Sequence, residues 1–290
     1  MTAPRAAVGF VGLGNMGGAL ASNLVQAGHP VVAHDAAGPA RAPEGVTHVA
    51  DVAEIARRAG VVVCSLPDGA ASEQVARAIL AVAVADRRTT HVVDTSTIGV
   101  RAAVLLGELL AAAGVAYVDA PVSGGVAGAR ARTLAVMYAA DDDACVHVEP
   151  VLAGLSDRRH RVGDRPGLAQ AMKLANNFLS ATALAATSEA IAFGQAAGLD
   201  MATMLDVLNG SSGRSAATSD KFPDHVLTGR YAAGFTNSLM TKDVRLYLEA
   251  VQEQGGPASL GTVTAAVWER FAVAEPGADF TRIYPFVEAS

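Results

Sequence analysis

Lys173 and Asn177 form a candidate acid–base pair in a segment that predicts a long helix. They lie four residues apart in Met172-Lys-Leu-Ala-Asn-Asn177, so they share one face of that helix. Burial lowers the affinity of an amine for protons, and a neighbouring amide orients a substrate without adding charge. Lysine occurs only at Lys173, Lys221 and Lys242, against nineteen arginines, and arginine does not give up its proton at accessible pH. We therefore predict Lys173 as the proton-transfer residue, with Asn177 beside it.

A serine followed by two glycines forms a candidate substrate-binding turn. The segment Asp119-Ala-Pro-Val-Ser123-Gly124-Gly125 follows a predicted strand. Consecutive glycines behind a serine make a concave set of backbone N–H groups plus a hydroxyl, which suits a carboxylate. A plain glycine turn at the end of a strand is the structural alternative. The presence of a candidate acid–base residue elsewhere in the chain favours Ser123, Gly124 and Gly125 as substrate-binding residues.

A glycine-rich turn near the N-terminus has the spacing of a dinucleotide-binding loop. Three glycines follow a predicted strand and open a predicted helix: Gly12 permits a tight turn, Gly14 lets the backbone approach a pyrophosphate, and Gly17 lets the helix pack on the strand. The first amides of such a helix face the phosphates. The candidate cofactor-binding residues of this turn are Gly12, Leu13, Gly14, Asn15, Met16 and Gly17.

Asp35 ends the second predicted strand, about twenty residues beyond the glycine turn. An acidic residue at this place accepts hydrogen bonds from the adenosine ribose hydroxyls and repels a 2′-phosphate. The structural alternative is that Asp35 merely starts a turn with Ala36-Ala37-Gly38. We predict NAD as the cofactor, with NADP disfavoured by Asp35.

The first half of the chain alternates short apolar runs with alanine-rich helical stretches, which is the pattern of a parallel sheet covered by helices. The apolar residues run without alternation, as is typical of strands buried on both faces. Asp51 and Glu54 have the spacing of a capping box at the start of a helix that extends to Arg58. Strands are predicted at Ala6–Val11, Val31–His34, Thr47–Val49, Val61–Ser65, His91–Asp94, Ala116–Ala120 and Leu134–Ala139.

From Gly167 onward the pattern is helical and predicts no strand. A long helix is expected at about 167–197, with Gly198 as its C-terminal stop. Shorter helices are predicted at Met201–Leu208, Thr241–Gln254, Ser259–Phe271 and Phe280–Glu288. The predicted fold is α/β, with an N-terminal Rossmann-type parallel-sheet domain at 1–163. The long helix joins it to a C-terminal all-helical domain at 164–290, for substrate binding and oligomerisation.

Composition excludes several classes of partner. The chain has 290 residues and a formal net charge of −6, whereas nucleic acids and anionic membranes attract basic surfaces. No basic run occurs, and short pairs such as Arg57-Arg58 and Arg158-Arg159 are expected in solvated helices or turns. The mean hydropathy of +0.31 comes from scattered alanine and valine, without the roughly 18 continuous apolar residues of a spanning helix. Neither nucleic acid nor membrane is expected as a partner.

Cysteines and histidines are too few or too scattered for a disulfide framework or a metal centre. Only Cys64 and Cys145 occur, and Cys64 lies in an apolar run typical of a core. The seven histidines show no ligand spacing, so no metal is expected. Residues 1–5 lead directly into the first predicted strand, which leaves no room for a cleavable leader. These features favour a cytoplasmic protein.

Four ordered motifs span essentially the whole chain: GFVGLGNMG from Gly9, DAPVSGG from Asp119, KLANN from Lys173 and MTKD from Met240. With these motifs the chain resembles the β-hydroxyacid dehydrogenases, the group that includes 3-hydroxyisobutyrate dehydrogenase and tartronate semialdehyde reductase. The resemblance implies further cofactor-lining residues: Leu66, Pro67, Thr97 and Lys242. It leaves a structural or a functional role equally open for Asp243.

The activity that the resemblance implies is NAD-dependent hydride transfer between nicotinamide and a small β-hydroxy acid, similar to 3-hydroxyisobutyrate, or its semialdehyde. Lys173 would be the acid–base, aided by Asn177, and Ser123–Gly125 would hold the carboxylate of the substrate. The alternatives are a semialdehyde or glyoxylate-type reductase, an imine reductase of the same family, and a non-catalytic NAD-binding protein. Imine reductases usually replace the lysine, and a non-catalytic relative would be expected to lose it or the substrate turn. The expected partners are a small carboxylated substrate and further copies of the chain, as a homodimer or homotetramer.

Two positions depart from the family pattern. Arg132 stands where a glycine is expected after the substrate turn, in Gly128-Ala-Arg-Ala-Arg132. The lead into the lysine helix is Gly167-Leu-Ala169 rather than Gly-x-Gly. Both departures leave Lys173 intact but put the local backbone, and with it the substrate, in question.

Overall fold

The computed structural model describes residues 6–289 and divides them into two compact units, one ending at Lys173 and the other beginning at Leu174. The segment 1–5, for which the sequence predicts no leader, lies outside the described residues, as does Ser290. None of the helices in residues 6–289 combines the length and the hydropathy that a membrane-spanning segment needs.

Among the described residues of the first unit, nine strands form one sheet. In chain order they are β1 (Val8–Val11), β2 (Val31–His34), β3 (Val46–His48), β4 (Val61–Cys64), β5 (His91–Asp94), β6 (Ala116–Asp119), β7 (Val122–Ser123), β8 (Ala135–Ala139) and β9 (Arg158–Gly163). The parallel part has the order β3-β2-β1-β4-β5-β6, which is the doubly wound Rossmann arrangement. The predicted fold class is therefore confirmed.

Beyond β6 the sheet is mixed rather than wholly parallel. Strand β8 runs antiparallel to both β6 and β7, and β9 pairs in parallel with β8. Strand β9 was not predicted, and the expectation of a helix or turn for Arg158-Arg159 is wrong because both residues lie in it. No residue of this strand is buried, and its sequence is Arg-Arg-His-Arg-Val-Gly. It therefore lacks the apolar run that identifies a buried strand.

The core of the first unit lies on both faces of the sheet, which explains the continuous apolar runs. In β1, Phe10 packs into the cluster on one face and Val11 into the cluster on the other. Val63 and Val62 of β4 divide in the same way. The helices of this unit that cover the sheet are α1 (Asn15–Gln26), α2 (Val52–Arg58), α3 (Gly69–Leu80), α4 (Val100–Ala111), α5 (Gly125–Arg130) and α6 (Asp142–Leu155).

The predicted long helix is present as α7 (Leu168–Ala196), which begins in the first unit and continues into the second. The other helices of the second unit are α8 (Met201–Asn209), α9 (Asn237–Glu253), α10 (Ser259–Ala274) and α11 (Ile283–Glu288), with a π-helix at Ala217–Val226 and a 3₁₀ turn at Phe280–Arg282. Helix α9 begins four residues earlier than predicted, because the Thr236 side chain accepts a hydrogen bond from the Leu239 amide and caps the helix there.

The second unit has its own core around Trp268, which is fully buried. Its indole Nε1 donates to the Ala181 carbonyl of α7, at 3.2 Å. Phe271 and Phe280 pack beside the indole. A buried aromatic centre of this kind allows the helical unit to fold around α7 without a sheet.

Candidate active site

The glycine turn between β1 and α1 is shaped by close backbone contacts. Gly12 has a positive φ of +90°, and a Cβ there would lie 2.3 Å from the Ser65 carbonyl oxygen. A Cβ on Gly17 would lie 1.9 Å from the Gly12 oxygen. At Gly14, by contrast, the nearest atom to such a Cβ is Arg41 Nη1 at 3.9 Å. The two outer glycines are therefore required by packing, while the backbone at Gly14 faces open space, as a pyrophosphate would need.

Asp35 follows β2 and is held against the glycine turn. Its Oδ2 accepts from the Leu13 amide at 2.6 Å, and its Oδ1 accepts from the Ala37 amide at 2.8 Å. Burial would raise the pKa of Asp35, but the two amides together with the Arg41 guanidinium outweigh that effect and lower the pKa below its ordinary value. Asp35 is therefore an anion at neutral pH, and each of its oxygens keeps a lone pair for a ribose hydroxyl. Asp35 therefore both starts a turn to Ala37 and contacts the glycine turn at Leu13.

Arg41 is a further candidate site residue, which no sequence pattern indicated. Its Nη1 lies 3.9 Å from Asp35 Oδ2, and its side chain is about half exposed, at 52%. A 650 Å³ cavity opens beside the glycine turn, lined by Leu13, Gly14, Asn15, Gly18, Ala19, Ser22, Asn23, Gln26, Arg41, Pro43 and Arg130. The start of α1 and two guanidinium groups therefore meet at one cavity, which fits the phosphates of a dinucleotide. The one local feature that could have indicated Arg41 is the Gly-Pro-Ala-Arg turn that it ends, and such turns are common.

The loops after β4 and β5 are fixed to one another at the same edge of the sheet. The Leu66 amide donates to Ser96 Oγ at 2.8 Å, and Thr95 Oγ1 donates to the Cys64 carbonyl at 2.7 Å. Leu66 and Pro67 lie in the first of these loops, and Thr97 lies in the second. Because ligands of doubly wound sheets bind outside the carboxyl ends of the strands, these residues lie where a dinucleotide would pass.

The predicted substrate turn adopts a conformation that requires glycine. Ser123 ends β7, Gly124 and Gly125 have positive φ values of +131° and +68°, and α5 begins at Gly125. A Cβ on Gly124 would also lie 3.0 Å from Leu134 Cδ2. Glycine is the residue that adopts positive φ at no steric cost, and successive backbone N–H groups of a turn are the kind of group that receives a carboxylate.

Lys173 is buried on α7, with 7% of its surface exposed. It lies one helical turn after Gln170, which is fully buried. The side-chain amide of Gln170 donates to the Ser96 carbonyl and to Asp119 Oδ1. Asp119, the last residue of β6, accepts hydrogen bonds from Gly167 and Gln170 at the start of α7. Burial raises the pKa of Asp119 to about 6, against the lowering effect of these donors.

In the second unit, Asn177 is oriented by an aspartate. Its Nδ2 donates to Asp243 Oδ2 at 2.6 Å, and its Oδ1 accepts from Asn176 Nδ2 at 3.0 Å. Asp243 is 2% exposed, and Lys242 Nζ lies 3.3 Å from its other oxygen. Asp243 thus connects Asn177 of α7 with Lys242 of α9. Asn177 and Asp243 are 66 residues apart, so no local sequence pattern predicts this contact.

The two departures from the family pattern have structural explanations. Arg132 has a positive φ of +59°, the conformation that glycine favours. Its guanidinium donates to the carbonyls of Gly154 and Ala153 at 2.8 Å each and to the Asp157 carboxylate at 3.1 Å, at the C-terminal end of α6. Ala169 is fully buried against Met137 in a small apolar cluster. Lys173 lies within the continuous helix α7.

Comparison with known proteins covers both units. Residues 7–163 match the family described as the NAD binding domain of 6-phosphogluconate dehydrogenase. Residues 167–287 match the family described as NAD-binding of NADP-dependent 3-hydroxyisobutyrate dehydrogenase.

Full-length relatives and a solved structure agree with these matches. The chain is 35% identical to a probable 3-hydroxyisobutyrate dehydrogenase of Mycobacterium tuberculosis, over 95% of this chain and 96% of the relative. It is 33% identical to a 2-(hydroxymethyl)glutarate dehydrogenase of Eubacterium barkeri, over 90% of this chain and 88% of the relative. A solved structure of M. tuberculosis 3-hydroxyisobutyrate dehydrogenase with L-serine superimposes with a TM-score of 0.89 at 32% identity, covering 98% of this chain and 99% of that one.

Proposed function

Since the chain belongs to the 3-hydroxyisobutyrate dehydrogenase family, we propose that it transfers hydride between NAD and a small β-hydroxy acid similar to 3-hydroxyisobutyrate, or the corresponding semialdehyde. Membership makes it an NAD(P)-dependent oxidoreductase that acts on CH–OH donors. The narrower proposal is carried by Lys173, which is buried near the start of a helix that Asp119 anchors at the carboxyl edge of the sheet.

Lys173 is the proposed acid–base. When bound, the nicotinamide accepts or returns the hydride. During oxidation the neutral amine of Lys173 takes the proton of the substrate hydroxyl, and during reduction its ammonium returns that proton to the forming alkoxide. The turn Ser123–Gly125 holds the substrate carboxylate through backbone amides and a hydroxyl. Asn177, oriented by Asp243, assists at the substrate, and Lys242 contacts the cofactor.

NAD is the proposed cofactor because Asp35 is anionic and faces the glycine turn. A carboxylate accepts hydrogen bonds from ribose hydroxyls and repels the 2′-phosphate of NADP. Arg41, 3.9 Å away, offsets part of that charge, so the proposal is a preference for NAD rather than exclusion of NADP.

Removal of the Asp35 charge tests this preference. Asp35→Asn keeps the size of the side chain but loses the repulsion, so we expect the ratio of kcat/KM for NADP to that for NAD to rise about tenfold, a change of about 1.4 kcal/mol. Steady-state kinetics with both cofactors measures the ratio. An unchanged ratio would assign cofactor choice to another residue.

The reaction itself is tested by following NADH at several pH values with a panel of three- and four-carbon hydroxy acids and semialdehydes. We expect turnover of a carboxylated substrate that Lys173→Ala reduces at least a thousandfold, a scale within the range of acid–base catalysis combined with lost positioning, while NADH still binds. Lys221→Ala is the matched control, because Lys221 lies in the π-helix and has no proposed role. The Lys221 variant should retain the wild-type rate.

Other outcomes separate the alternatives. Turnover that survives Lys173→Ala would show that another residue transfers the proton. NADH binding without turnover on any member of the panel would contradict the proposed substrate class and favour a binding protein. Reduction of cyclic imines in place of carboxylated substrates would indicate an imine reductase.

A further inference from the structure

Gln170 is a fully buried amide whose hydrogen-bonding capacity is completely used. Its Oε1 accepts from the amides of Ile98 and Gly99, at 2.9 and 3.1 Å. Its Nε2 donates to the Ser96 carbonyl at 3.0 Å and to Asp119 Oδ1 at 2.7 Å. A carboxamide has two N–H donors and two acceptor lone pairs, so every one of them has a partner. One side chain therefore joins α7, the loop after β5 and the end of β6.

Asp119 completes this network by capping α7 from another element. The first intrahelical bond runs from the Ala171 amide to the Gly167 carbonyl, so Gly167 is the N-cap and has no side chain with which to cap. Asp119 Oδ2 accepts from the Gly167 and Gln170 amides at 3.0 Å each, in place of that side chain. A carboxylate at this end of a helix is also favoured by the helix dipole.

Two candidate functional residues of the first unit, Lys173 and Thr97, lie next to this network in the chain. Lys173 is three residues after Gln170, one turn along the same helix. Thr97 lies between Ser96 and Ile98, both of which are bonded to Gln170 through their backbones. A change at Gln170 therefore alters the axial position of Lys173 and the loop of Thr97 together.

We propose that Gln170 and Asp119 are positioning residues that hold Lys173 and the Thr97 loop in fixed places relative to each other. This inference rests on the proposed role of Lys173 in proton transfer. Proton transfer requires a donor–acceptor distance near 3 Å, and a displacement of about 1 Å reduces the rate about a hundredfold. A buried amide without spare donors or acceptors permits only one placement of the helix.

Gln170→Met tests the proposal, because methionine has a similar length but cannot make these four hydrogen bonds. We expect kcat to fall roughly 10- to 100-fold, with a smaller change in KM for the cofactor. Ser188→Ala is the matched control: Ser188 is also fully buried on α7 and donates only within that helix, to the Leu184 carbonyl. It lies fifteen residues beyond Lys173, or about 22 Å along the axis, and its loss should leave kcat unchanged. Both variants are assayed at a temperature at which circular dichroism shows them folded.

A second readout does not depend on turnover. The chain has three lysines, so protein labelled with [¹³Cε]-lysine gives three signals that lysine-to-arginine variants assign. In Gln170→Met we expect the Lys173 signal to shift and broaden while those of Lys221 and Lys242 stay in place. An unchanged Lys173 signal overturns the proposal, whatever happens to kcat. If the wild-type protein turns over no substrate, the proposed reaction fails, yet this signal still decides whether Gln170 positions Lys173.

Gln170→Glu provides a test that does not depend on the methionine variant folding. When protonated, the introduced carboxyl group can accept at one oxygen and donate to Asp119 from the other, whereas its ionised form would place two carboxylates together. Asp119 also takes up a proton in this range, because burial raises its pKa to about 6. As pH falls from 8 to 5 the repulsion between the two carboxylates is therefore lost, and the Lys173 signal of this variant should approach that of the wild type recorded at the same pH. A difference from wild type that does not shrink with falling pH would contradict the proposed network.

Discussion

At the scale of single residues, Arg132 combines an unfavourable backbone conformation with a favourable side-chain role. A left-handed conformation costs a non-glycine residue about 1–2 kcal/mol. The guanidinium offsets this cost by donating to two carbonyls at the end of α6, where the helix dipole favours a cation. Hydrogen bonds to charged groups contribute about 1.5–3 kcal/mol each, so the side chain outweighs the strain. Arg132 is therefore explained as a structural residue.

Two substitutions separate these effects. Arg132→Gly loses the cap but relieves the backbone strain, whereas Arg132→Ala loses the cap and keeps the strain. We expect the free energy of unfolding to decrease in the order wild type, glycine variant, alanine variant, with about 1 kcal/mol between the two variants. Urea denaturation measures this order. An alanine variant as stable as the glycine variant would show that the backbone here is not strained.

At the scale of elements, the turn between β1 and α1 needs glycine because the helix starts in close contact with the backbone after the strand. Gly17 and Gly18 are neighbours at the start of α1, but only at Gly17 would a Cβ collide with the backbone. A Cβ on Gly17 would lie 1.9 Å from the Gly12 oxygen, while one on Gly18 would lie 3.5 Å from the Leu13 oxygen, an ordinary contact. The third glycine of the motif is thus a packing requirement between two elements.

This difference predicts opposite effects for two adjacent substitutions. Gly17→Ala must displace backbone and should destabilise the protein by about 3 kcal/mol or more, with loss of NADH binding. Gly18→Ala should be neutral or stabilise by up to about 1 kcal/mol, because alanine restricts the unfolded chain and favours helix. Thermal unfolding and NADH fluorescence measure both effects. Equal destabilisation of the two variants would contradict the contact geometry.

At the scale of the whole molecule, exposed apolar side chains are concentrated in the second unit. Nine of the fourteen large hydrophobic side chains exposed among the described residues belong to residues beyond Leu174. Phe193, at 77% exposed, is the largest of them. Exposed apolar surface of this kind marks association surfaces, so we propose that the second unit mediates a homodimer or homotetramer.

Light scattering coupled to size exclusion tests this proposal. We expect a mass of at least two chains, and we expect Phe193→Glu to shift the protein toward the monomer because a charge cannot be buried unpaired. Val84→Glu is the control, since Val84 is equally exposed, at 77%, but belongs to the first unit. A monomeric wild-type protein, or equal effects of both variants, would reject this surface.

Local signals in the sequence were sufficient for much of this protein. The continuous apolar runs predicted the parallel strands, because strands buried on both faces need apolar side chains at every position. The glycine spacing predicted the turn at Gly12, and helical periodicity predicted α7 and therefore the shared face of Lys173 and Asn177. The edge strand β9 was not predictable in this way, since an exposed edge imposes no apolar pattern.

Contacts between distant residues were decided only by the tertiary structure. Gln170 reaches Ile98 across 72 residues, and Asn177 reaches Asp243 across 66. Arg41 lies beside Asp35 because a turn after β2 brings it back to the glycine loop. The sequence specifies which side chains are present and which helix or strand holds them. Which buried donor meets which acceptor depends on how strands order in the sheet and where α7 begins, and sequence spacing does not encode that geometry.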